Sequence, residues 1–479
     1  MRLLLDSDLY EYEIRGLYLA FFPGEKFETE GTPDMENTLW IHEGKRSENE
    51  QEISISFNYG GKVRERAVTL LLGDKKEAKT VFKRALYRVL SEATKKTLPW
   101  GTLTGIRPTK IPMAMLESGK SEIEIRRHME EELLVSPGKT GLSLNIAKRE
   151  LKLLDRLDKK EGWSLYIGIP FCPSICLYCS FSSFALDAYK NIVGDYLRAL
   201  EKELMYVAEA FKGRPLQTIY FGGGTPTTLS PSELSFLLTR ITELFDLSDL
   251  LEWTVEAGRP DSLTREKLLA LQAAPVSRIS VNPQTMHQKT LDLIGRKHTV
   301  QDVERAYALS RELGFDNINM DLIMGLPGET EADIEETMKR VCALNPDNVT
   351  IHSLALKRAS RLNLLKDEYR AYRMENSDAV MDMCRNYLSG IGEKPYYLYR
   401  QKNMAGNQEN VGYAREGKEG IYNILIMEEV QTIVALGAGA VSKRVYEDGR
   451  IERCDNVKDV RLYISEIDEM VGRKKDLFS

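Results

Sequence analysis

From Trp163 onward this 479-residue chain alternates short apolar runs with longer stretches of helical period, and that alternation restricts its fold more than any other feature. "SLYIGIP" leads to "VGDYLRALEKELMYVAEAF", "QTIYFGG" to "PSELSFLLTRITELF", "EWTVEA" to "REKLLALQAA", "RISVNP" to "VQDVERAYALSRELG", and "NINMDLIMG" to "TEADIEETMKRVCAL", before "VTIHSLAL" closes the series. Six strands separated by helices imply right-handed crossovers and a parallel sheet. Six repeats are too few for a closed eight-stranded barrel of ~250 residues, and predict an α/β fold with an incomplete, TIM-like (β/α)6 barrel over residues 161–361. Chemistry in such folds sits at the C-terminal ends of the strands. The cysteine-rich stretch after the first strand, "GGGTP" after the second, Glu256, Gln284 and Asp321 are all expected at or just after strand ends, so independent motifs point at one mouth.

The flanks read differently. In "EISISFNYGGKVRERAVTLLL" two alternating runs flank Tyr59-Gly60-Gly61, a β-hairpin pattern. From Asp74 to about Lys96, Val81, Ala85, Leu86, Val89 and Leu90 fall at helical spacing. Residues 1–98 are therefore expected to form a small α+β domain. A helical connecting region is expected over 99–160, where "LPWGTLTGIRPTKIPM" is broken by Gly and Pro and is followed by two helical patterns with charged faces. Residues 362–479, with the helical "SDAVMDMCRNYLSGIG" and the glycine-rich "ALGAGAVSKRV", are expected to form a C-terminal α+β module serving as substrate module or lid.

Composition excludes several classes. A net charge of -6 and a pI near 5.7 argue against a broad nucleic-acid surface. No apolar run reaches the roughly 18 to 20 residues of a membrane span, and a cytoplasmic location is expected. Cys342, Cys384 and Cys454 stand singly and are read as reduced packing residues.

The other three cysteines lie together in "YIGIPFCPSICLYCSFSS", where Cys172, Cys176 and Cys179 are spaced C-x3-C-x2-C. Three thiolates on a short loop can hold three irons of a [4Fe-4S] cube and leave the fourth iron open to a small molecule. A zinc knuckle would need a fourth ligand at short spacing, and the nearest downstream histidine is His287. In "YFGGGTPTTL", Gly222, Gly223 and Gly224 would let the backbone approach a ligand closely, although glycine runs alone are more often plain turns.

With Tyr178 before its third cysteine, this loop resembles the cluster loop of the radical S-adenosylmethionine (SAM) enzymes. That resemblance implies that SAM chelates the open iron and is cleaved to a hydrogen-abstracting 5′-deoxyadenosyl radical. "YIGIPFC", "IYFGGGTPT", "VEAGRPDSLT", "RISVNPQT", "LIGRKHT", "DLIMGLPGE" and "ALGAGA" further resemble, in order and spacing, the oxygen-independent coproporphyrinogen III oxidase-like group, in its HemZ type. Carried over, the resemblance implies that Tyr166 sits beside the cluster and that Gly223, Gly224 and Thr225 contact the methionine part of SAM. Glu256, Gln284, Arg296 and Asp321 would bind its amino acid and ribose groups, with Ile323 and Ala355 nearby. Arg296 could pair a carboxylate bidentately. The implied activity is oxidative decarboxylation of coproporphyrinogen III to protoporphyrinogen IX, with a tetrapyrrole as substrate and an electron donor such as flavodoxin or ferredoxin as partner. Lys357, Arg358, Arg361, Arg400 and Lys402 are candidate cations for propionates. His298 and His352 are read as structural rather than as heme ligands.

The chain departs from the decarboxylases of that group at three places. Phe181 stands where they carry a further cysteine, as it does in relatives that act as heme chaperones; Gly168 stands where they carry His, and "VNPQ" replaces the more usual "GVQ". A heme-binding chaperone that keeps the cluster and the SAM site, or another radical reaction on a tetrapyrrole, therefore stays open as an alternative.

Overall fold

The computed structural model describes every residue except Ile106, Ser182, Arg358, Lys366, Arg370, Lys402 and Asn403. The chain divides into two units, Met1–Lys148 with Leu398–Glu409, and Arg149–Tyr397 with Asn410–Ser479. The first contains β1 (Arg2–Leu5), α1 (Glu11–Phe21), β2 (Thr38–Arg46), β3 (Glu50–Tyr59), β4 (Lys62–Leu71) and α2 (Lys75–Thr94). The expected hairpin forms: Tyr59 pairs with Lys62, and Gly60 and Gly61 both take positive φ, 61° and 69°, as a two-residue turn matched to the strand twist requires. In the sheet, ordered β1-β2-β3-β4, Ile55 and Phe57 share an apolar cluster with Leu17 and Phe21 of α1 and Phe82 and Leu86 of α2. Asp74 caps α2 by accepting from the N–H groups of Lys76 and Glu77, both at 3.0 Å. After α3 (Lys110–Glu117) and α4 (Glu122–Arg127), α5 (Pro137–Leu154) runs through the boundary between the units.

The second unit opens with β5 (Trp163–Ile169), the short β6 (Phe171–Cys172) and β7 (Phe184–Ala185), and α6 (Val193–Ala210). It continues with β8 (Leu216–Gly223), α7 (Pro231–Leu244), β9 (Glu252–Val255), α8 (Arg265–Gln272), β10 (Arg278–Ser280), α9 (Gln288–Leu293) and α10 (Val300–Glu312). Next come β11 (Ile318–Met324), α11 (Glu331–Leu344), β12 (Asn348–Ser353), α12 (Arg361–Leu364), α13 (Asp378–Gly390), β13 (Lys394–Tyr399) and β14 (Asn410–Ala414). The last elements are α14 (Ile421–Glu428), β15 (Thr432–Leu436), β16 (Val441–Val445), β17 (Ile451–Asp455), α15 (Val460–Ser465) and α16 (Ile467–Phe478). Capping boxes at Ser230, Thr299 and Thr330 start α7, α10 and α11. No helix among the described residues is long and apolar enough to cross a membrane.

The six expected strands are the centre of one mixed sheet, ordered β13-β14-β12-β11-β10-β9-β8-β5-β15-β16-β17, and each of the six is parallel to its neighbour among them. Among the described residues no pairing joins β13 to β17, so the α/β barrel is incomplete, as the repeat count implied. The residues after 362 extend the sheet at both flanks: β14 runs antiparallel to β12, and β15 parallel to β5.

The two-residue period of the strands divides this sheet sharply. Ser164, Tyr166 and Gly168 of β5 face Thr218, Tyr220 and Gly222 of β8, and Thr218 and Tyr220 face Glu252 and Thr254. Thr254 faces Arg278, Ser280 faces Asn319, and Asn319, Asp321 and Ile323 face Asn348, Thr350 and His352. One face is thus polar almost throughout. The alternate residues, such as Leu165, Ile219, Trp253, Ile279, Met320 and Ile351, are buried and apolar, as are the inward stripes of the helices, for example Leu197, Leu200 and Leu204 of α6.

An ion pair with no solvent exposure on either side chain ties α16 to α6: Lys474 Nζ lies 2.5 Å from Glu203 Oε1. Asn456 bonds both partners at 2.8 Å, while Glu203 Oε2 accepts from Tyr463 (2.6 Å) and from Gly437 N (2.9 Å). Removing one member strands a charge away from water. Lys474→Met is expected to lose about 3–5 kcal/mol, seen as a lower denaturant midpoint, and adding Glu203→Gln to recover part of that loss.

Candidate active site

The cysteine loop is closed by a ladder of two residue pairs, Phe171 with Phe184 and Cys172 with Ala185, so residues 173–183 leave the end of β5 and return to it. Leu177 N donates to Ile294 O (2.9 Å) and Ser174 Oγ to Gly295 O (3.1 Å), which fixes the loop to the turn after α9. Cys179 N donates to Cys176 O at 3.2 Å. Arg259, held by Asp261 at 2.6 Å, donates to Ser174 Oγ at 2.9 Å and reaches Cys176 Sγ at 3.7 Å. Sequence reasoning missed Arg259, although it lies in the quoted "VEAGRPDSLT". All three thiols are free, and burial holds those of Cys172 and Cys179 up. Among the described residues no three His, Cys, Asp or Glu side chains gather as they would around one metal ion; thiolates that bind separate irons of a cube need no such convergence.

The glycine-rich segment meets this loop backbone to backbone. Gly224 N donates to Ile169 O and Thr225 N to Phe171 O, each at 2.7 Å, and Thr225 Oγ1 lies 3.6 Å from Cys172 Sγ. A Cβ on Gly224 would fall 2.5 Å from Phe171 O, so glycine is needed there for contact with the protein's own chain. Gly223, at φ 103°, pairs with Ile169 at the end of β5.

Above a closed floor of Ser164, Thr218, Glu252, Arg278 and Asn319, the polar face opens into a partly exposed layer of Tyr166, Tyr220, Glu256, Asp321 and His352. Tyr422, from α14, stacks on Tyr220 with centroids 4.4 Å apart, and Tyr166 lies 6.2 Å from each of them. Glu256, the first residue after β9, accepts from Tyr220 OH, and burial pushes its carboxyl up to about 7. Burial would also raise Asp321, but the His352 ring, with Nε2 3.8 Å away, and the Asn319 amide at 2.7 Å bring it below the ordinary carboxylate value. Asp321 departs from expectation in place: it is the fourth residue of the seven-residue β11, not its end. It belongs to the layer by its register on β11, beside which Gln284, at φ 69°, bridges Leu322 by donating its N–H to Asp321 O and accepting from Ile323 N, both at 2.9 Å. Among the described residues the buried Oε1 of Gln284 has no hydrogen-bond partner.

Arg296 joins the cysteine loop to the end of β10. Its Nη1 donates to Tyr178 OH (3.1 Å), Nη2 to Asn282 O (2.8 Å) and Gly258 O (3.3 Å), and Nε to His298 Nε2 (2.9 Å). A bidentate pair with a ligand carboxylate would require some of these bonds to be released. His298 is engaged at both nitrogens, its Nδ1 3.2 Å from Thr299 O, and burial lowers it to about 4, so it is a neutral structural histidine. Ile323 is in register with His352, and Ala355 follows the end of β12 half-buried.

The candidate cations separate. Lys357 Nζ lies 5.7 Å from the Phe181 ring centre, and Arg361 opens α12 exposed to solvent. Arg400 belongs to the first unit, where it donates to Leu103 O (2.6 Å) and Asn407 Oδ1 (2.7 Å) under cover of Trp100. Arg358 and Lys402 lie outside the described residues. Sequence reasoning also missed Tyr220 and Tyr422; the shared two-residue register with Tyr166 and Gly222 was the signal for Tyr220.

Comparison with known proteins follows this geometry. A model of the Radical SAM superfamily matches residues 166–341. An oxygen-independent coproporphyrinogen-III oxidase-like protein, HemZ of Bacillus subtilis (strain 168), is 41% identical over 404 residues, 83% of this chain and 81% of that protein. This chain belongs to the oxygen-independent coproporphyrinogen III oxidase-like family of radical SAM proteins. The heme chaperone HemW of the same strain is 34% identical over 308 residues, covering 64% of this chain and 76% of HemW. The solved coproporphyrinogen III oxidase HemN of Escherichia coli, a radical SAM enzyme, shares the fold at a TM-score of 0.52 and 24% identity, covering 67% of this chain and 72% of that one.

The family uses a [4Fe-4S] cluster and SAM, and the residues present fit both. Three free thiols on one closed loop are a suitable donor set for a cluster with one open iron. Glu256 and Asp321, with the Gln284 Oε1 that has no partner among the described residues, offer acceptors to an ammonium group and to hydroxyls.

Because its folded-state carboxyl titrates near 7 rather than at the ordinary 4.5, Glu256 costs stability as pH rises between those values. In the ligand-free protein Glu256→Gln should have little effect on the melting temperature near pH 5 and raise it relative to wild type by an amount that grows and levels off above pH 7. Melting curves from pH 5 to 8.5 check this; a difference independent of pH would refute it.

Proposed function

We propose that this chain is a radical SAM oxidoreductase of tetrapyrrole biosynthesis, converting coproporphyrinogen III to protoporphyrinogen IX without oxygen. The observation that supports it most is the joining, at one end of a polar sheet face, of a three-thiol loop to a partly open layer of acids and tyrosines. In this reading Cys172, Cys176 and Cys179 hold the cluster. Gly223, Gly224, Thr225, Glu256, Gln284, Arg296 and Asp321 seat SAM, with Tyr166, Ile323 and Ala355 beside it. When bound, the pair supplies a radical able to take a hydrogen atom from carbon.

Each of two propionates then loses a hydrogen atom from its β-carbon, carbon dioxide, and one electron to a one-electron acceptor, leaving a vinyl group. The chain's own contribution is placement and charge. Asp321, kept ionised, accepts from hydroxyls, and Gln284 Oε1 accepts from an amine. Because Gly224 N and Thr225 N are used by the protein, the glycine-rich segment serves as acceptor of the amino group rather than as donor. Lys357, half-buried beside the cysteine loop, is placed to pair a propionate.

A second reading, a heme-binding chaperone that retains cluster and SAM, is favoured by Phe181 and by the likeness to HemW; His352, in the open layer, would then be its candidate iron ligand.

The deciding measurement is anaerobic turnover of reconstituted protein with SAM, dithionite and coproporphyrinogen III, followed by mass spectrometry. The expected result is loss of two carbon dioxide units coupled to 5′-deoxyadenosine. Deoxyadenosine without change in the porphyrin, together with stoichiometric heme binding and a shifted Soret band, would favour the chaperone; without heme binding, another radical substrate. Replacing all three cysteines by Ala is expected to abolish iron binding and to lower SAM cleavage at least 100-fold; a variant that keeps its iron would defeat both readings.

A further inference from the structure

Among the described residues, Arg259 is the charged side chain whose hydrogen bonds reach a sulfur of the cysteine loop. It is 4% exposed. Its turn, just after β9, is braced by the glycine-rich segment: Thr227 Oγ1 donates to Ala257 O at 3.1 Å and lies 2.7 Å from Ser262 Oγ, which donates to Arg259 O at 2.8 Å. Asp261 accepts from two N–H groups of the guanidinium, Nε at 2.9 Å and Nη2 at 2.6 Å. That fork fixes the guanidinium plane and turns Nη1 toward the loop, where it donates to Ser174 Oγ at 2.9 Å and lies 3.7 Å from Cys176 Sγ.

Two arginines thus meet the cysteine loop, and their surroundings set them apart. Arg296 gives its N–H groups to the uncharged acceptors Tyr178 OH, Asn282 O and His298 Nε2, bonds that a ligand carboxylate could replace. Arg259 already has its carboxylate, from its own turn. What it presents to the loop is a positive N–H donor held on one sulfur, whereas Cys172 is approached by a hydroxyl, Thr225 Oγ1 at 3.6 Å. A cluster gains negative charge when it is reduced, and hydrogen bonds to its sulfurs and the charge around it set how readily that happens. A guanidinium exerts this influence at every working pH, because it does not lose its proton, and a buried one is little screened by salt.

We propose that Arg259 is a positioning residue for the cluster: it keeps its N–H on Cys176 Sγ when that sulfur binds iron, and so raises the potential at which the cluster takes up an electron. The proposal rests on the radical SAM reading. The step it favours is the gain of one electron by the bound cluster, supplied in vitro by dithionite; Arg259 gives up no proton in it, and no bond on this chain is made or broken.

The readout is the midpoint potential of the cluster. Reconstituted full-length wild type, Arg259→Gln, Arg259→Lys and Asp261→Asn are titrated with dithionite and redox mediators in the absence of SAM, the reduced cluster being counted by electron paramagnetic resonance, with iron content and melting curves recorded alongside. Arg259→Gln is expected to lower the midpoint by at least a tenfold change in the one-electron equilibrium, ~59 mV. Arg259→Lys, which keeps the charge, is expected to recover most of that shift, and Asp261→Asn, which leaves the guanidinium uncompensated, to move the midpoint the other way. A wild-type midpoint in Arg259→Gln at full iron content overturns the proposal. So does an equal fall in both Arg259 variants, or loss of the cluster from both, which would make Arg259 a structural clamp alone. If only Arg259→Gln loses its cluster, Asp261→Asn decides, a raised midpoint supporting the proposal and an unchanged or lowered one overturning it. Wild-type protein that assembles no cluster defeats the radical reading and this proposal with it, whereas a cluster-bearing protein that leaves coproporphyrinogen III unchanged still has its potentials compared.

Discussion

Parallel sheets covered by helices are ordinarily apolar on both faces, because both are dry. Here the strands alternate, and the placement of every candidate residue follows from that. One face is lined by Ser164, Thr218, Glu252, Arg278 and Asn319 at the bottom and by Tyr166, Tyr220, Glu256, Asp321 and His352 above. An unpaired buried polar group costs ~1–3 kcal/mol, so such a face is tolerable only where its groups find each other. At the bottom several do: Ser164 Oγ bonds Gln431 and Thr218 at 2.8 Å, Thr254 Oγ1 bonds Glu252 at 2.8 Å, and Glu252 also accepts from Ile421 N, whereas Arg278 Nε and Nη2 find no hydrogen-bond partner among the described residues. In the upper layer Glu256 is held up by burial, and beside it the buried Gln284 Oε1 has no hydrogen-bond partner among the described residues.

β5 turns that lining into a site. The cysteine loop leaves its end, the glycine-rich turn of β8 bonds to its last carbonyl, and β15 pairs along its other edge. At Gly168 two backbones touch: a Cβ there would fall 3.1 Å from Leu436 O, and one on Gly437 would fall 2.5 Å from Gly168 O. Tyr196 OH donates to that same carbonyl at 2.6 Å, and Glu203 accepts from Gly437 N. The buried Glu203–Lys474 pair therefore fixes the turn that presses on the strand carrying the cysteines. It also accounts for Gly168 where the related decarboxylases are expected to carry His. A side chain at Gly168 would be tight against Leu436 O, which would have to give way by a few tenths of an ångström.

Much of this was legible in the sequence, because period and punctuation are local. The hairpin at Gly60-Gly61, the six parallel strands and the clustering of Cys172, Glu256 and Gln284 near one mouth all follow from alternation and turn chemistry. What escaped depends on contacts distant in sequence. No local pattern shows that Tyr422 stacks on Tyr220 202 residues away, or that Arg259 reaches back to Cys176. Arg296 was read as an available donor because its residue type suits a carboxylate, whereas the structure occupies it with Tyr178, Asn282 and His298. Arg400 was grouped with the site by charge, yet its partners Leu103 and Asn407 belong with it to the first unit. Side-chain charge is visible in a sequence; what neutralises or satisfies it is not.

Phe181 illustrates how position changes the meaning of a departure. Read as sequence, a phenylalanine where decarboxylases are expected to hold a cysteine weighs against decarboxylation. In the structure its ring is 71% exposed, with the Lys357 ammonium 5.7 Å from its centre, and it is not among the residues in register along the polar face. Replacing a thiol there by a ring leaves Glu256, Gln284, Asp321 and His352 in place. It changes instead what the loop presents to an approaching molecule. Beside Lys357, the cation proposed to pair a propionate, the ring bears on how a tetrapyrrole meets the loop rather than on the residues that line the sheet.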